Sequence, residues 1–343
     1  MKNPALGERV ALKHGAGGKA MRSLIEGVFL EGLGGPVDGI GLAALDDGAA
    51  IRVEDRWLVI TTDSHVVQPI FFPGGDIGRL AVSGTVNDLA MMGATEPLGL
   101  TNAVVIEEGF PREHLERIRD SMREALREAG AVVVTGDTKV MPKGELDGIV
   151  LNTAGFALCD RVVTDAGLRP GDKLIVTGTV GDHGFTILAL RHRLGLEGDL
   201  RSDVAPVNGL VRAALAAGGE DVVAMKDPTR GGLASALHEM AAKGRVGILL
   251  EERKVPLRPE VRAASELVGI DPLFVANEGK AVIGVRPEAA ERVLDALRAH
   301  PLGRDAAIVG TCLAERPGAV ILDTGFGRRL VGEVEGEPMP RIC

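Results

Sequence analysis

The 343-residue chain carries 39 Lys and Arg against 48 Asp and Glu, a formal charge of −9, with 45% hydrophobic and 25% charged residues. That length suits about two domains, and a negative chain with no Tyr, one Trp and eight Phe is a poor surface for nucleic acid or anionic lipid. Forty-seven glycines and 18 prolines fall short of a low-complexity chain and belong in turns and ligand loops.

Met1 to Lys19 lacks the apolar core of a signal peptide, and no run approaches the ~18 apolar residues of a membrane span. Cys159, Cys312 and Cys343 are odd in number and far apart, with no C-x-x-C, which disfavours a zinc ribbon or a disulfide framework. The expectation is a cytoplasmic protein with reduced thiols. Residues 1–40 read as an arm, with a glycine-rich stretch from His14 to Lys19 and a helix carrying Met21, Leu24, Ile25, Val28 and Phe29 on one face. Residues 41–165 read as a first α/β domain. Its strands are Ala49–Val53, Trp57–Thr61, Pro97–Ile106, Ala131–Val134 and Gly148–Leu158, and its helices lie near Asp76–Gly93 and Glu113–Ala129. The turn cluster Gly167–Asp172 divides the chain. Residues 166–315 alternate strands and helices again, and 316–343 end in a Pro-rich stretch from Glu333 that reads as a mobile tail. The fold class is mixed α/β, or α+β, with two lobes of similar size.

Acidic residues gather at turn-like positions beside apolar strands: Asp46-Asp47-Gly48, Thr61-Thr62-Asp63, Asn87-Asp88, Gly136-Asp137-Thr138-Lys139 and Asp227-Pro228-Thr229-Arg230. Hard carboxylate oxygens of this kind suit Mg²⁺ shared with phosphate, which would also let an acidic chain hold an anionic ligand. The competing reading is turn chemistry, since Asp-Gly pairs make turns on their own. The stretch His14-Gly15-Ala16-Gly17-Gly18-Lys19 is no Walker A loop; it reads either as a lid whose amides and Lys19 cover phosphates or as a hinge. Gly178–Gly184 reads equally as an anion-binding helix entry or as a turn capped by Asp182. Asn277-Glu278-Gly279-Lys280 offers acid–base groups or a plain turn. Cys343 is the last residue, where a prenylation box is impossible, and a thiol on an arm can be loaded in one place and react in another. Cys159 and Cys312 lie in apolar strands and read as core.

Taken in order with Val86–Ala94, Gly181-Asp182-His183-Gly184 and the terminal Pro340-Arg341-Ile342-Cys343, these motifs resemble the HypE family of hydrogenase maturation, the carbamoyl dehydratases. The acidic motifs alone resemble the wider superfamily of aminoimidazole ribonucleotide synthetase, selenophosphate synthetase and thiamine-monophosphate kinase; the terminal motif makes the likeness specific. The resemblance implies a first domain that forms a homodimer through its sheet, a second α+β domain and a C-terminal tail. It implies ATP at His14, Gly15, Gly17, Gly18, Lys19, Asn87, Gly136, Asp137 and Thr138, with Mg²⁺ at Asp46, Asp47, Asp63, Asp88 and Asp227. It implies a carbamoyl group taken by Cys343 from the partner HypF and dehydrated to a thiocyanate. Lys139 is the expected stabiliser of the transferring phosphoryl group and Glu278 the expected base, and the cyanide passes to a HypC–HypD complex. Two alternatives stand beside it: another ATP-using enzyme of the superfamily, and a scaffold whose tail is a docking peptide.

Overall fold

The computed structural model describes residues 9–15, 17–195, 198–333 and 342–343. The expected tail therefore lies outside the described residues from 334 to 341, while its last two residues are described. The arm forms α1 (Gly18–Leu24), which runs through a wide turn at Ile25–Leu30 into α2 (Glu31–Leu33). The apolar face expected there is not buried: Val28 is 53% and Phe29 46% exposed.

Strands β1 (Gly39–Ile40), β2 (Ala49–Val53) and β3 (Arg56–His65) lead to a short hairpin, β4 (Phe71–Phe72) and β5 (Gly75–Asp76). Then come α3 (Ile77–Met91), β6 (Pro97–Glu107), α4 (Arg112–Ala129), β7 (Val133–Met141) and β8 (Ile149–Cys159). The first large sheet has the order β1-β2-β3-β8-β6-β7, antiparallel except for the β6/β7 pair. Along β8 every second residue from Ile149 to Cys159 is buried, so one face of the sheet packs on helices and the other is only half covered. The covering helices are α3 and α4. Helix α4 turns Ile118, Met122, Ala125 and Ala129 inward and stops at Gly130, which adopts φ 68°. Helix α3 is buried almost throughout, and its start is fixed by Asp76, whose carboxylate accepts the Arg79 N–H at 2.9 Å. Each leucine fully buried there contributes about 1.5–3 kcal/mol.

Two expectations change here. Gly136–Lys139 is not a loop: it lies inside β7, an edge strand exposed from Val133 to Val140. Parallel pairing with β6 supplies the main-chain hydrogen bonds that a turn would otherwise have to find. Asp63 and Asp88 likewise belong to β3 and α3, so only Asp46, Asp47 and Asp227 of the five carboxylates occupy irregular segments.

The second lobe runs β9 (Lys173–Val176), α5 (Asp182–His192), α6 (Asn208–Gly218), β10 (Val222–Lys226), α7 (Gly232–Gly244), β11 (Gly247–Glu251) and α8 (Pro259–Val268). It closes with β12 (Val282–Val285), α9 (Ala290–Ala299), β13 (Ala307–Leu313), β14 (Val320–Asp323) and β15 (Arg328–Leu330). Its sheet has the order β10-β12-β9-β13-β11-β14-β15. Leu174 and Val176 pack with α7 on one face, and Ile175 packs with α6 and α9 on the other. Burial on both faces is why these strands are unbroken apolar runs. Helix α3 also touches α6 and β10, so it lies between the lobes.

Candidate active site

A cleft of about 270 Å³ opens where the two lobes meet α1. The first lobe contributes Asp46, Asp47, Asp63, Gly84 and Asp88; the second contributes Lys226, Asp227, Arg230, Glu239 and Glu278. Residues distant in sequence converge here: Asp63 lies near the end of β3, Asp88 in the last turn of α3 and Asp227 directly after β10. Gly84 makes this approach possible: a Cβ there would stand 2.9 Å from His65 Cε1 and 3.5 Å from Asp63 Oδ2.

The carboxylates fall into two sets. Asp47 Oδ1 accepts from Lys226 Nζ at 2.7 Å, and the same ammonium reaches Glu239 at 3.1 Å and Asp165 at 3.4 Å. Lys243 completes this set, 2.7 Å from Asp165 and donating to the Leu45 carbonyl at 2.7 Å. Burial alone would lower the Lys226 pKa, but Asp47, Glu239 and Asp165 outweigh it and hold the ammonium well above the usual lysine range. Asp46 borders this set; burial, then the charges of Asp165 and Asp47, push it up to about 7.

The second set faces itself. Asp88 accepts from the Thr61 hydroxyl at 2.8 Å, yet burial and then Asp227, Asp63 and Asp47 drive it well above the carboxylate range. Burial and Asp47 raise Asp227 to about 8, with Lys226 and Arg230 pulling the other way. Glu278 is 3% exposed, and burial followed by Asp227, Asp203 and Asp63 raises it strongly. Its Oε1 and Asp47 Oδ2 are buried without a hydrogen-bond partner. Such groups accept a proton or a hard cation readily. Among the described residues, no three His, Cys, Asp or Glu side chains already form a cage for a metal ion.

The other expected residues divide by position. Gly17 and Gly18 line the cleft with φ 79° and 62°, and a Cβ on Gly17 would meet Arg230 Cβ at 3.1 Å. Lys19 lines a small neighbouring recess with Arg22 and His238. His14 is buried and its Nδ1 accepts from the Ala11 N–H at 2.9 Å; neither it nor exposed Gly15 lines the cleft. Asn87 sits behind the cleft wall. Its amide donates to the Ala205 and Glu278 carbonyls at 3.1 and 3.3 Å and accepts from the Val207 N–H at 2.8 Å, so it joins the lobes rather than facing the opening.

Gly136, Asp137, Thr138 and Lys139 are away from this chain's own cleft. Asp63, Thr153, Asn102 and Gly136 lie in one row across the sheet, three strand spacings or about 14 Å end to end. Lys139 Nζ pairs instead with Asp137 at 2.6 Å on the exposed edge. The Gly178–Gly184 segment is a helix entry held by protein groups: the Gly181 N–H goes to Asn277 Oδ1 at 2.7 Å, and Asp182 accepts from Thr179. Asn277 also donates to the Pro228 carbonyl at 3.0 Å, which steadies the loop bearing Asp227.

Sequence reasoning passed over Lys226, Asp165, Glu239 and Arg230 as site residues. Lys226 ends an apolar strand and Asp165 sits in a turn-like stretch, so their charges have no local mark; a lysine closing a buried strand opposite an acidic motif was the available signal. Cys343 lines the cleft alongside Glu278 and Asp63. Cys159 and Cys312 are buried in β8 and β13, and burial raises both thiols, Cys312 to about 12.

Comparison with known proteins identifies the family. The family model described as AIR synthase related protein, N-terminal domain, matches residues 45–159, and its C-terminal counterpart matches 169–323. The carbamoyl dehydratase HypE of Rhizobium leguminosarum bv. viciae is 48% identical over 339 residues, 98% of this chain and 95% of the relative. That of Escherichia coli (strain K12) is 44% identical over 338 residues, 97% and 99% of the two chains. A HypE–HypF complex superposes with a TM-score of 0.85 at 42% identity, covering 91% of this chain and 100% of that one. HypE in complex with ATP gives 0.80 at 41%, covering 98% and 100%. A thiamine-monophosphate kinase-like structure at 21% identity and a TM-score of 0.68 shares the fold alone. The chain thus belongs to the HypE family of carbamoyl dehydratases, enzymes of hydrogenase maturation built on paired AIR synthase related domains.

Proposed function

We propose that this protein uses ATP to dehydrate a carbamoyl group on the Cys343 thiol to a thiocyanate, the source of a cyanide ligand for hydrogenase iron. One observation carries the reading: the terminal cysteine lines the same cleft as the acidic set and Glu278. The relatives solved with ATP and with HypF support ATP as the phosphoryl donor and HypF as the partner that loads the thiol. A HypC–HypD complex is the proposed receiver of the cyanide.

The chemistry needs a leaving group, because oxide does not leave carbon. The carbamoyl oxygen attacks the γ-phosphorus, ADP departs, and the nitrogen gives up one proton, leaving S–C(OPO₃)=NH. Loss of the second N–H proton then breaks the C–O bond, expels phosphate and leaves S–C≡N. Phosphoryl transfer is mostly positioning and charge neutralisation. Gly17 and Gly18 offer main-chain N–H groups at the cleft mouth, and Arg230 lies alongside them. Glu278 is the proposed proton acceptor; it lines the cleft with Cys343, and burial followed by the charge of Asp227 raises its pKa, which makes its carboxylate a stronger base than a free one.

Mg²⁺ fits the donor set as an ion that arrives with phosphate oxygens, held by Asp47, Asp63, Asp88 and Asp227 with Asp46 beside them, and it would supply charge neutralisation. Lys139 can serve a cleft only if another chain presents it. We therefore propose a homodimer through the first sheet, in which the exposed β7 of one copy borders the other copy's cleft. Intact mass spectrometry after incubation with HypF, carbamoyl phosphate and ATP tests the function. A carbamoyl adduct on Cys343 that converts to a cyano adduct is expected; a Cys343→Ala chain that still forms the adduct would overturn it.

A further inference from the structure

The last two residues are held by main-chain contacts from both lobes. The Val66 N–H, just after β3, donates to a main-chain carboxylate oxygen of Cys343 at 3.1 Å. From α5 of the second lobe, His183 Nε2 lies 2.7 Å from the Ile342 carbonyl. The Ile342 side chain is 1% exposed, within the core that also contains Phe72, Phe185 and Val204.

The tautomer of His183 follows from its neighbours. The Ser202 hydroxyl oxygen accepts the Val204 N–H at 3.1 Å and stands 2.8 Å from His183 Nδ1. A carbonyl only accepts, so Nε2 carries the proton; Nδ1 is then the acceptor of the Ser202 O–H. The ring is fully buried and packs edge-on to Phe72 with centroids 5.4 Å apart. Burial lowers its pKa, which keeps it neutral and the relay single-handed.

We propose that His183, oriented by Ser202, is a positioning residue that grips the Ile342 carbonyl and so sets how far the Cys343 thiol reaches into the cleft. This rests on the reading of Cys343 as the carrier. A grip on main chain is indifferent to what the sulfur bears, so one seat serves the thiol, the carbamoyl and the cyano forms. The side chain of Ile342 supplies selectivity for the terminal dipeptide, and the carbonyl contact supplies register.

The full-length chain tests this in two ways. The alkylation rate of Cys343 by iodoacetamide, resolved from Cys159 and Cys312 by peptide mass, needs no partner. The single-turnover conversion of carbamoylated Cys343, with KM for ATP, reads the chemistry. His183→Leu is expected to raise alkylation about tenfold and slow conversion about tenfold, the value of one hydrogen bond, with KM for ATP unchanged. His183→Gln, which keeps an N–H donor, is expected to restore most of the protection and rate. Should His183→Leu lose its cooperative melt, Ser202→Ala serves instead, with a shift of about threefold in the same directions. Wild-type alkylation in folded variants that also convert normally would overturn the seat and leave the proposed function standing. Equal loss in the Leu and Gln variants, with KM for ATP changed, would mark a merely structural role. Absence of conversion in the unaltered chain would sink the function, while alkylation would still report on the seat.

Discussion

The two halves of the cleft floor use the same side chain to opposite effect. Around Asp47, Asp165 and Glu239 the negative charge is met within the chain, by Lys226 and Lys243. At Asp88, Asp227 and Glu278 burial and then neighbouring carboxylates raise the pKa, and Arg230 only partly offsets this at Asp227 and Glu278. The first half is an ion-pair network that ties Asp47 and Leu45 of one lobe to β10 and α7 of the other. The second lacks a buried lysine of its own, so its carboxylates are met by protons unless a cation is bound there.

That contrast makes opposite predictions for substitutions a few residues apart. Lys226→Met leaves Asp47, Asp165 and the half-buried Glu239 facing each other with one lysine, and breaking a buried pair in this way costs about 3–5 kcal/mol. A large fall in Tm is expected by calorimetry; an unchanged Tm would place Lys226 with the functional half instead. Asp88→Asn is expected to abolish Mg²⁺-dependent ATP turnover while raising Tm by a few degrees, because it removes a charge that burial and its neighbours disfavour. Lower stability with normal turnover would reverse the assignment.

Stability against pH sharpens the same point. Asp46 and Asp227 have folded pKa values of about 7 and about 8, above the unfolded value near 4. The folded state binds more protons than the unfolded one between those limits. These groups therefore withdraw stability as pH rises from about 4 to about 8. Thermal melts should fall over that window, less steeply in Asp227→Asn, and Mg²⁺ with ATP should flatten the slope. A slope indifferent to both would show that the acidic half is not the ion site.

The smallest signal tests the second copy. If Lys139 serves the other protomer's cleft, Lys139→Ala and Glu278→Gln are each inactive alone. Co-expressed, they form mixed dimers with one intact cleft, giving about a quarter of wild-type turnover by the symmetry of a two-fold dimer. No recovery would confine Lys139 to its exposed pair with Asp137.

What the sequence made legible follows from how local each signal was. Helix α4 could be read from Leu115 to Ala129 because its apolar stripe and the Gly130 stop are written in consecutive residues. Strands β9 to β14 were equally plain as apolar runs, whereas the exposed β15 (Arg328–Leu330) carries no such mark. Strand β7 was misread because Gly136-Asp137-Thr138-Lys139 has the composition of a turn, and only its pairing with β6 makes it a strand. The arm helix was also legible, since its apolar residues recur at helical spacing up to the glycines that end it, although Val28 and Phe29 on that face stay about half exposed. At the site, Asp46, Asp47, Asp63, Asp88, Asp227 and Glu278 could all be named, since acidic motifs beside apolar strands are visible in one dimension. Lys226, Asp165 and His183 could not be given roles, because their meaning comes from partners 61 to 179 residues away.

Asn87 precedes Asp88 by one position on α3, and its amide holds Ala205, Val207 and the main chain of Glu278 together. A side chain that helps fasten the lobes therefore shares a helical turn with one cleft carboxylate and holds the backbone of another. Prising the lobes apart would have to break three buried hydrogen bonds and shift both acids at once. Asn87 is thus a caliper set between Asp88 and Glu278, so a change at this amide would be felt at both acids together.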